Sequence, residues 1–151
     1  MASIKHSESF EIAQPVETLF PLFSPAGEKL WVPDWDYESF SEGTALREDY
    51  VFATKSHDHV ASEAIWIVKK YEPEKHSVQF YKIEPREKVG IVQVECCEIE
   101  EAKSVVRVSY EYIGLSESGN SFVEGFSSSG YREFIAEWKQ LLEKHFDKQT
   151  Y

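Results

Sequence analysis

The sequence has few cysteines, few basic residues and no long apolar run. Its two cysteines, Cys96 and Cys97, are adjacent in a strand-like segment, so their side chains point to opposite faces and a disulfide between them would be strained. No segment approaches the roughly 18 apolar residues of a membrane span. The N-terminal residues also lack the continuous apolar stretch of a signal peptide. We therefore expect a cytoplasmic protein without stable membrane insertion.

Positive charge is scarce. Sixteen Lys and Arg residues stand against 27 Asp and Glu residues, which gives a formal net charge of −11. Such a chain repels phosphate backbones and anionic lipid headgroups. We therefore expect no nucleic-acid partner.

Motifs that would indicate a cofactor, a metal or a nucleophile are missing. The sequence has no glycine-rich phosphate loop, no HExxH and no CxxC, and the serines at 127–129 have no recognisable His and Asp partners. The only histidine cluster is His57-Asp58-His59, which lies in a predicted hairpin turn and would need a third metal ligand from elsewhere. The sequence therefore predicts neither a metal nor a cofactor, and nucleophilic catalysis is disfavoured.

Aromatic residues, by contrast, are abundant: 10 Phe, 8 Tyr and 4 Trp in a chain of 151 residues. A chain of this length fits one domain, residues 1–151, with a sizeable core. The aromatic content fits either ordinary core packing or a cavity with aromatic walls.

The N-terminal third predicts a strand followed by two short helices. Apolar and polar residues alternate in the strand, over residues 6–13. Pro15 then starts a helix whose apolar positions 16, 19, 20 and 23 share one face. Ser24 is the expected N-cap of the second helix, with Pro25 at its first position, and Pro33 prevents continuation.

Six more strands are predicted between residues 35 and 114. Short turns separate them, so neighbouring strands should be antiparallel, and the sequence shows no alternation of strands with helices. The predicted strands are residues 35–40, 49–56, 61–71, 77–84, 89–100 and 104–114.

The C-terminal segment predicts one long helix from about Ser121 to about Lys148. Ser121 and Glu124 fit a capping box, and apolar residues follow with a period of 3.6. Glycine and serine cluster at 125–130, where helix propensity is low. Either these small residues let the helix approach the sheet closely, or the first half of the helix is loose and opens as a gate.

Four segments carry a resemblance to a known family. They are FEIAQPVETLFPLFSPAGEKLWVPDW at 10–35, AIWIVKKYEP at 64–73, SYEYIGLSESGNSF at 109–122 and YREFIAEWKQLL at 131–142. With this element order, the chain resembles the START-like, or SRPBCC, superfamily, in its small bacterial and archaeal single-domain branch. The resemblance implies an α+β helix-grip fold, in which about seven antiparallel strands curve around a long C-terminal helix and two short helices follow strand 1.

The same resemblance implies a cavity between the sheet and the helix. Members of the superfamily bind sterols, lipids, polyketides or plant hormones, act as aromatases and cyclases, or activate chaperones. Each aromatic residue taken alone fits a packed core, but the group predicts an aromatic-lined site. The candidate ligand-binding residues are Phe20, Phe23, Trp31, Trp35, Trp66, Tyr110, Tyr112, Phe126, Phe134 and Trp138.

Three functions remain open from the sequence. The first is binding of a small hydrophobic or aromatic, lipid- or polyketide-like molecule. The second is cyclase or dehydratase chemistry that uses Tyr110, Tyr112, Arg107 or a carboxylate near the cavity. The third is a protein-interaction module like the chaperone activators. A homodimer also remains open.

One acidic segment has two interpretations. Glu28, Asp34, Asp36 and Glu38 surround Trp31 and Trp35 in the sequence. Paired carboxylates act as general acid and base when burial separates their pKa values, but such a segment also fits a solvated rim.

Overall fold

The computed structural model describes residues 2–55 and 63–148. These residues form a seven-stranded antiparallel sheet in the order β1-β7-β6-β5-β4-β3-β2. The strands are β1 (Ser3–Ile12), β2 (Tyr37–Ser39), β3 (Val51–Lys55), β4 (Glu63–Glu72), β5 (Ser77–Glu84), β6 (Lys88–Glu100) and β7 (Lys103–Gly114). The helices are α1 (Val16–Leu19), α2 (Pro25–Glu28), α3 (Glu117–Gly125) and α4 (Ser128–Lys148).

The strands follow the predicted alternation of apolar and polar residues. β5 has the predicted bounds, whereas β1 begins three residues earlier and pairs with β7 along its whole length, from Ser3 opposite Ile113 to Ile12 opposite Ser104. β2 is shorter than the predicted strand at 35–40. The indole N–H of Trp35 donates to the carbonyl of Pro25 at 2.8 Å, so Trp35 is held by α2 and not by the sheet.

Two irregularities curve the sheet. The register shifts between Val68 and Lys70 where β4 pairs with β5, and between Glu98 and Glu100 where β6 pairs with β7. Such bulges bend the strand that carries them and increase its twist. The curvature gives the sheet a concave face, which the helices cover.

The two short helices after β1 form as predicted. α1 continues into a 3₁₀ turn at Phe20–Leu22, and α2 starts at Pro25. The Ser24 hydroxyl accepts a hydrogen bond from the Gly27 amide at 2.9 Å, which confirms the predicted N-cap. Gly27 packs directly on the carbonyl of Pro21, where a Cβ atom would have no room.

The predicted C-terminal helix is divided in two, and the predicted capping box is wrong. Ser121 lies inside α3, and the N-cap is Ser116, whose hydroxyl accepts from the Gly119 amide at 3.2 Å. Phe126 leaves the helical conformation with ψ of 83°. Ser127 then caps α4 by accepting from the Gly130 amide at 3.1 Å. The helix is interrupted within the glycine and serine cluster. Helix propensity is low there, so interrupting the helix costs little free energy.

Both C-terminal helices lie on the concave side of the sheet, where α3 packs against β7 and β1, and α4 packs against β1. Tyr131 fixes α4 to the sheet, because its buried hydroxyl donates to the carbonyl of Val108 at 2.6 Å. His6 Nε2 lies 2.7 Å from the carbonyl oxygen of Phe126, at the junction of the two helices.

Two other predictions can be compared with the structure. Both cysteines are free thiols, with Cys96 buried and Cys97 exposed on opposite faces of β6, as the adjacent positions predict. Burial raises the pKa of the Cys96 thiol to about 12. Over residues 2–55 and 63–148, no helix combines the length and the apolar character needed to cross a bilayer.

Candidate functional site

A cavity of about 590 Å³ lies between the concave face of the sheet, the segment after α2 and the helix α4. Its volume is in the range of sites that hold small organic ligands, roughly 300 to 1,000 Å³. The described residues that line it are Glu28, Trp31, Val32, Pro33, Asp34, Trp35, Asp36, Thr54, Lys55, Ala64, Trp66, Lys82, Glu84, Lys88, Tyr110, Tyr112, Phe122, Phe134, Glu137, Trp138 and Leu141.

Tryptophans form the wall on the helix side. Trp31 is buried, and its indole N–H donates to the carbonyl of Leu22 at 2.8 Å. Trp138 from α4 meets Trp31 edge to face, with ring centroids 5.6 Å apart. Because each indole N–H of Trp31 and Trp35 already has a backbone acceptor, these two rings offer a ligand mainly their apolar surface.

The wall on the sheet side is also aromatic. Trp66 stacks on Phe52 with centroids 5.7 Å apart, and its indole N–H donates to the Thr54 hydroxyl at 2.9 Å. Tyr110 and Tyr112 lie on the same face of β7, with centroids 5.9 Å apart. Alternation along β4 and β7 therefore turns these three rings towards the helices.

A buried ion pair lies in the sheet part of the lining. Lys88 Nζ is 3.2 Å from Glu84 Oε2, and both side chains are almost completely buried. Lys88 also lies over the ring of Phe122, 3.9 Å from its centroid, and Lys82 Nζ lies 3.5 Å from the Tyr112 hydroxyl. Desolvation, and to a lesser degree the charge of Glu84, raise the pKa of Tyr112, while Lys88 partly opposes them. The lining is therefore not purely apolar.

Glu28 brings a carboxyl group into the opposite wall. It is partly buried at the end of α2, and within the described residues its carboxylate makes neither a hydrogen bond nor an ion pair. Desolvation without a compensating cation raises its pKa from 4.5 to about 8. Asp36, by contrast, lies 3.9 Å from Lys55, with both side chains well exposed.

The acidic segment therefore contains more than one environment. Glu28, Asp34 and Asp36 line the cavity, whereas Glu38 is exposed on β2 and does not. One signal in the sequence distinguished Glu28 from the other three acidic residues. Glu28 belongs to the helix that Ser24 caps and Pro25 starts, and it lies one helical turn before Trp31.

The structure brings seven of the ten predicted ligand-binding residues to the cavity: Trp31, Trp35, Trp66, Tyr110, Tyr112, Phe134 and Trp138. Whether they contact a ligand stays a prediction. Phe134 keeps 40% of its surface exposed, so it lies at the edge of the lining.

The other three predicted residues lie behind or beside the lining. Phe20 stacks on Tyr71, with centroids 6.3 Å apart, and does not line the cavity. Phe23 supports the wall from behind, 5.8 Å from Trp31 and 6.1 Å from Trp138. Phe126 packs in the core at the junction of α3 and α4, 5.7 Å from Phe122.

Arg107 does not fit the chemistry suggested for it. It lies on β7 with its side chain exposed, next to the buried Val106 and Val108, and so on the face of the sheet opposite to Tyr110. The suggestion that Arg107 acts in the cavity is therefore wrong. The cluster His57-Asp58-His59 lies outside the described residues, and Ser127 is used as a helix cap.

Sequence reasoning missed most of the polar lining. Lys82, Glu84 and Lys88 come from the β5–β6 hairpin, where a lysine and a glutamate on either side of a turn are typical of a solvated surface. Alternation along β5 was the available signal, because it places Lys82 and Glu84 on the same face as the buried Phe80.

The fold and the cavity together define a class: a helix-grip protein with a cavity beneath its C-terminal helix. Comparison with solved structures supports this assignment. Norcoclaurine synthase from Thalictrum flavum, in complex with dopamine and hydroxybenzaldehyde, superposes with a TM-score of 0.68 at 14% identity, covering 95% of this chain and 88% of that one.

Two further structures have the same arrangement. Ara h 8.0201 gives a TM-score of 0.65 at 8% identity and covers 95% of both chains. The hypothetical protein jhp0584 from Helicobacter pylori gives 0.74 at 8% identity, covering 94% of this chain and 88% of that one. No protein-family model matches the sequence, and no curated protein matches it significantly. At these identities the likeness shows the fold alone, which is a helix-grip fold.

Proposed function

We propose that this protein binds a small hydrophobic or aromatic molecule in the cavity between its sheet and α4. The observation that carries the proposal is the cavity of about 590 Å³ with aromatic rings on both walls. Aromatic and apolar walls with a few polar groups are typical of small-molecule sites, since the walls supply affinity and the polar groups fix orientation.

The composition of the walls favours a flat ring over a purely aliphatic chain. Trp31 and Trp138 on one side, and Trp66 and Tyr110 on the other, offer ring faces and edges to a planar ligand. The norcoclaurine synthase structure supports the proposal, because a protein of the same fold there holds dopamine and hydroxybenzaldehyde, both small aromatic molecules.

The first test is native mass spectrometry of the purified full chain, followed by extraction and identification of any bound molecule. We expect a near-stoichiometric adduct whose extracted component is aromatic or apolar. A bound molecule that is strongly hydrophilic would contradict the proposal.

A second test measures binding directly with N-phenylnaphthylamine, a neutral fluorescent aromatic probe. The variant Leu141→Trp fills the cavity from α4 and should weaken probe binding about tenfold or more. The matched control is Gln140→Trp, at the exposed neighbouring position outside the lining. Equal probe affinity in the two variants would place probe binding elsewhere.

A second candidate function is catalysis of the cyclase or dehydratase type. The observation that favours it is the buried pair Glu84–Lys88 together with Tyr112 in the lining, which is the polar equipment that proton transfer needs. The two candidates differ in what happens to the molecule identified by extraction. A binding protein returns it unchanged after incubation, whereas an enzyme converts it.

The third interpretation, a protein-interaction module, predicts a small or filled cavity. The observed volume does not favour it, and the large exposed apolar residues belong to several different elements: Leu30, Phe40, Ile99, Leu115 and Phe134.

A further inference from the structure

We propose that the ligand carries a protonated amine, and that the Glu28 carboxylate and the Tyr110 hydroxyl hold this amine at one end of the cavity. The inference rests on the proposed function, since it names the chemical class that the same cavity accepts. It assigns Glu28 as the ionic partner of the ligand and Tyr110 as a second hydrogen-bond acceptor.

The position of Glu28 is fixed by its backbone. Its amide donates to the carbonyl of Ser24 at 2.7 Å, and its own carbonyl accepts from the amides of Trp31 and Val32 at 3.2 and 2.8 Å. The carboxyl group therefore stands on a rigid turn, yet it makes no hydrogen bond or ion pair with any residue in 2–55 or 63–148. Partly buried charges normally have an ion-pair or hydrogen-bond partner, and a carboxylate in this aromatic wall has neither among the described residues.

Tyr110 is the second polar group without a partner. Its residue is 6% exposed, and within the part of the chain that the structure describes its hydroxyl makes no hydrogen bond. The hydroxyl oxygen keeps some accessible surface, and because Tyr110 lines the cavity, this surface faces the cavity. Desolvation raises the pKa of Tyr110 well above its ordinary value, and the nearby charge of Glu28 contributes to the rise.

Aromatic rings surround this end of the cavity. Trp31 follows Glu28 by one helical turn, and Trp138 lies 5.6 Å from Trp31 and 6.5 Å from Tyr110 between ring centroids. A cation held between such rings gains from the negative potential of their faces in addition to the carboxylate. The site therefore matches a primary or secondary amine attached to an apolar or aromatic body.

The charge of the lining favours a cation over an anion. Acidic side chains outnumber lysines there by five to three, and Glu84 and Asp36 are each paired with a lysine. Glu28 is one of the acidic residues in the lining that have no ion pair among the described residues. With an alcohol or a carboxylate ligand, the Glu28 carboxyl group still has no cation beside it, and its pKa of about 8 keeps it mostly protonated at neutral pH. An ammonium group favours the ionised form of Glu28, compensates the charge that then appears, and donates hydrogen bonds to both unpartnered oxygens.

The test is displacement of N-phenylnaphthylamine by three compounds of matched size: phenethylamine, phenethyl alcohol and phenylacetate. For the wild-type chain we expect phenethylamine to displace the probe at about tenfold lower concentration than the alcohol, with phenylacetate weakest. In Glu28→Gln the amine and the alcohol should displace the probe at similar concentrations. Tyr110→Phe should weaken the amine several-fold more than it weakens the alcohol.

The matched control is Glu38→Gln, which removes the same charge from an exposed carboxylate outside the lining and should leave the preference for the amine intact. A far-ultraviolet circular dichroism spectrum like that of the wild type shows that Glu28→Gln is folded. The inference is overturned if the alcohol or the acid competes as well as the amine, or if Glu28→Gln keeps the preference. If the neutral probe itself fails to bind the wild-type chain, the proposed function fails, and the inference fails with it.

Discussion

Lys88 and Glu84 form a buried ion pair at the β5–β6 turn, with Lys88 Nζ 3.2 Å from Glu84 Oε2. Within the part of the chain that the structure describes, Glu84 Oε2 has no hydrogen-bond partner, although Lys88 Nζ lies close to it. The charge of Lys88 is therefore an important compensation for a carboxylate that water cannot reach. Removing one member of such a pair leaves the other charged and buried, which costs far more than the pair contributes when intact.

We expect Lys88→Met to destabilise the protein by about 3 to 5 kcal/mol, because Glu84 is then left as an unpaired buried charge. The double variant Lys88→Met with Glu84→Leu should recover most of that loss, since it removes both charges at similar volume. Urea unfolding of the two variants and the wild type measures the difference. A loss below about 1 kcal/mol for the single variant would show that water or another group already compensates Glu84.

Trp66 contributes to both the core and the cavity wall. Trp66→Ala should lower the free energy of unfolding by about 3 to 5 kcal/mol and enlarge the cavity, which changes ligand affinity. Phe80→Ala is the control, because Phe80 packs 5.8 Å from Trp66 in the same cluster but does not line the cavity. Melting temperature and probe affinity are measured for both. Equal changes in probe affinity would mean that Trp66 acts only through stability.

Two tyrosines on the same side of the sheet should respond differently to loss of their hydroxyls. Tyr131→Phe removes the buried hydrogen bond to the carbonyl of Val108 and should cost about 0.5 to 1.5 kcal/mol. Tyr110→Phe should leave stability nearly unchanged, because the Tyr110 hydroxyl has no partner in the described part of the chain. Chemical denaturation compares them, and a larger loss for Tyr110→Phe would contradict this assignment.

Glu28 should make stability depend on pH. Its pKa rises from 4.5 to about 8 on folding, so the native state binds this proton more tightly than the unfolded state does. The stability that this proton contributes is therefore complete below pH 4.5 and is lost as pH rises through 8. Between these two pH values the free energy of unfolding falls by at most about 1.4 kcal/mol per pH unit. The partial exposure of Glu28 makes the pKa shift smaller and so narrows this pH window.

The measurement is urea unfolding of the wild type and Glu28→Gln from pH 5 to about 9, with the difference between the two curves isolating this residue. The stability of Glu28→Gln relative to wild type should rise with pH over that window. A constant difference would show that the carboxyl group is as well solvated in the native state as in the unfolded one.

The break between α3 and α4 should divide the C-terminal segment into two units of different local stability. Ser127→Ala removes the cap of α4 and should cost about 1 kcal/mol, whereas Ser128→Ala, at the next exposed position, should cost little. Amide hydrogen exchange should show α3 opening more readily than α4, as a gate would require. Uniform protection from residue 117 to residue 148 would exclude independent opening.

Local sequence determined the elements of this protein. Alternation along residues 77–84 predicts β5 with its observed bounds, and Ser24 with Pro25 predicts the start of α2, because side-chain period, proline geometry and capping are decided by near neighbours. Those elements, in their order and together with the family resemblance of four segments, predicted the helix-grip arrangement.

Only the tertiary structure decided which residues meet in the cavity. Glu28 and Glu38 read alike in the sequence, but the packing of α2 places Glu28 in the aromatic wall and leaves Glu38 in solvent. Glu84 ends a predicted strand and Lys88 follows the next turn, but both are buried in the structure, where Lys88 lies over the rings of Tyr112 and Phe122. Burial and the pKa of a charged side chain depend on residues far away in the sequence, so a local pattern does not contain them.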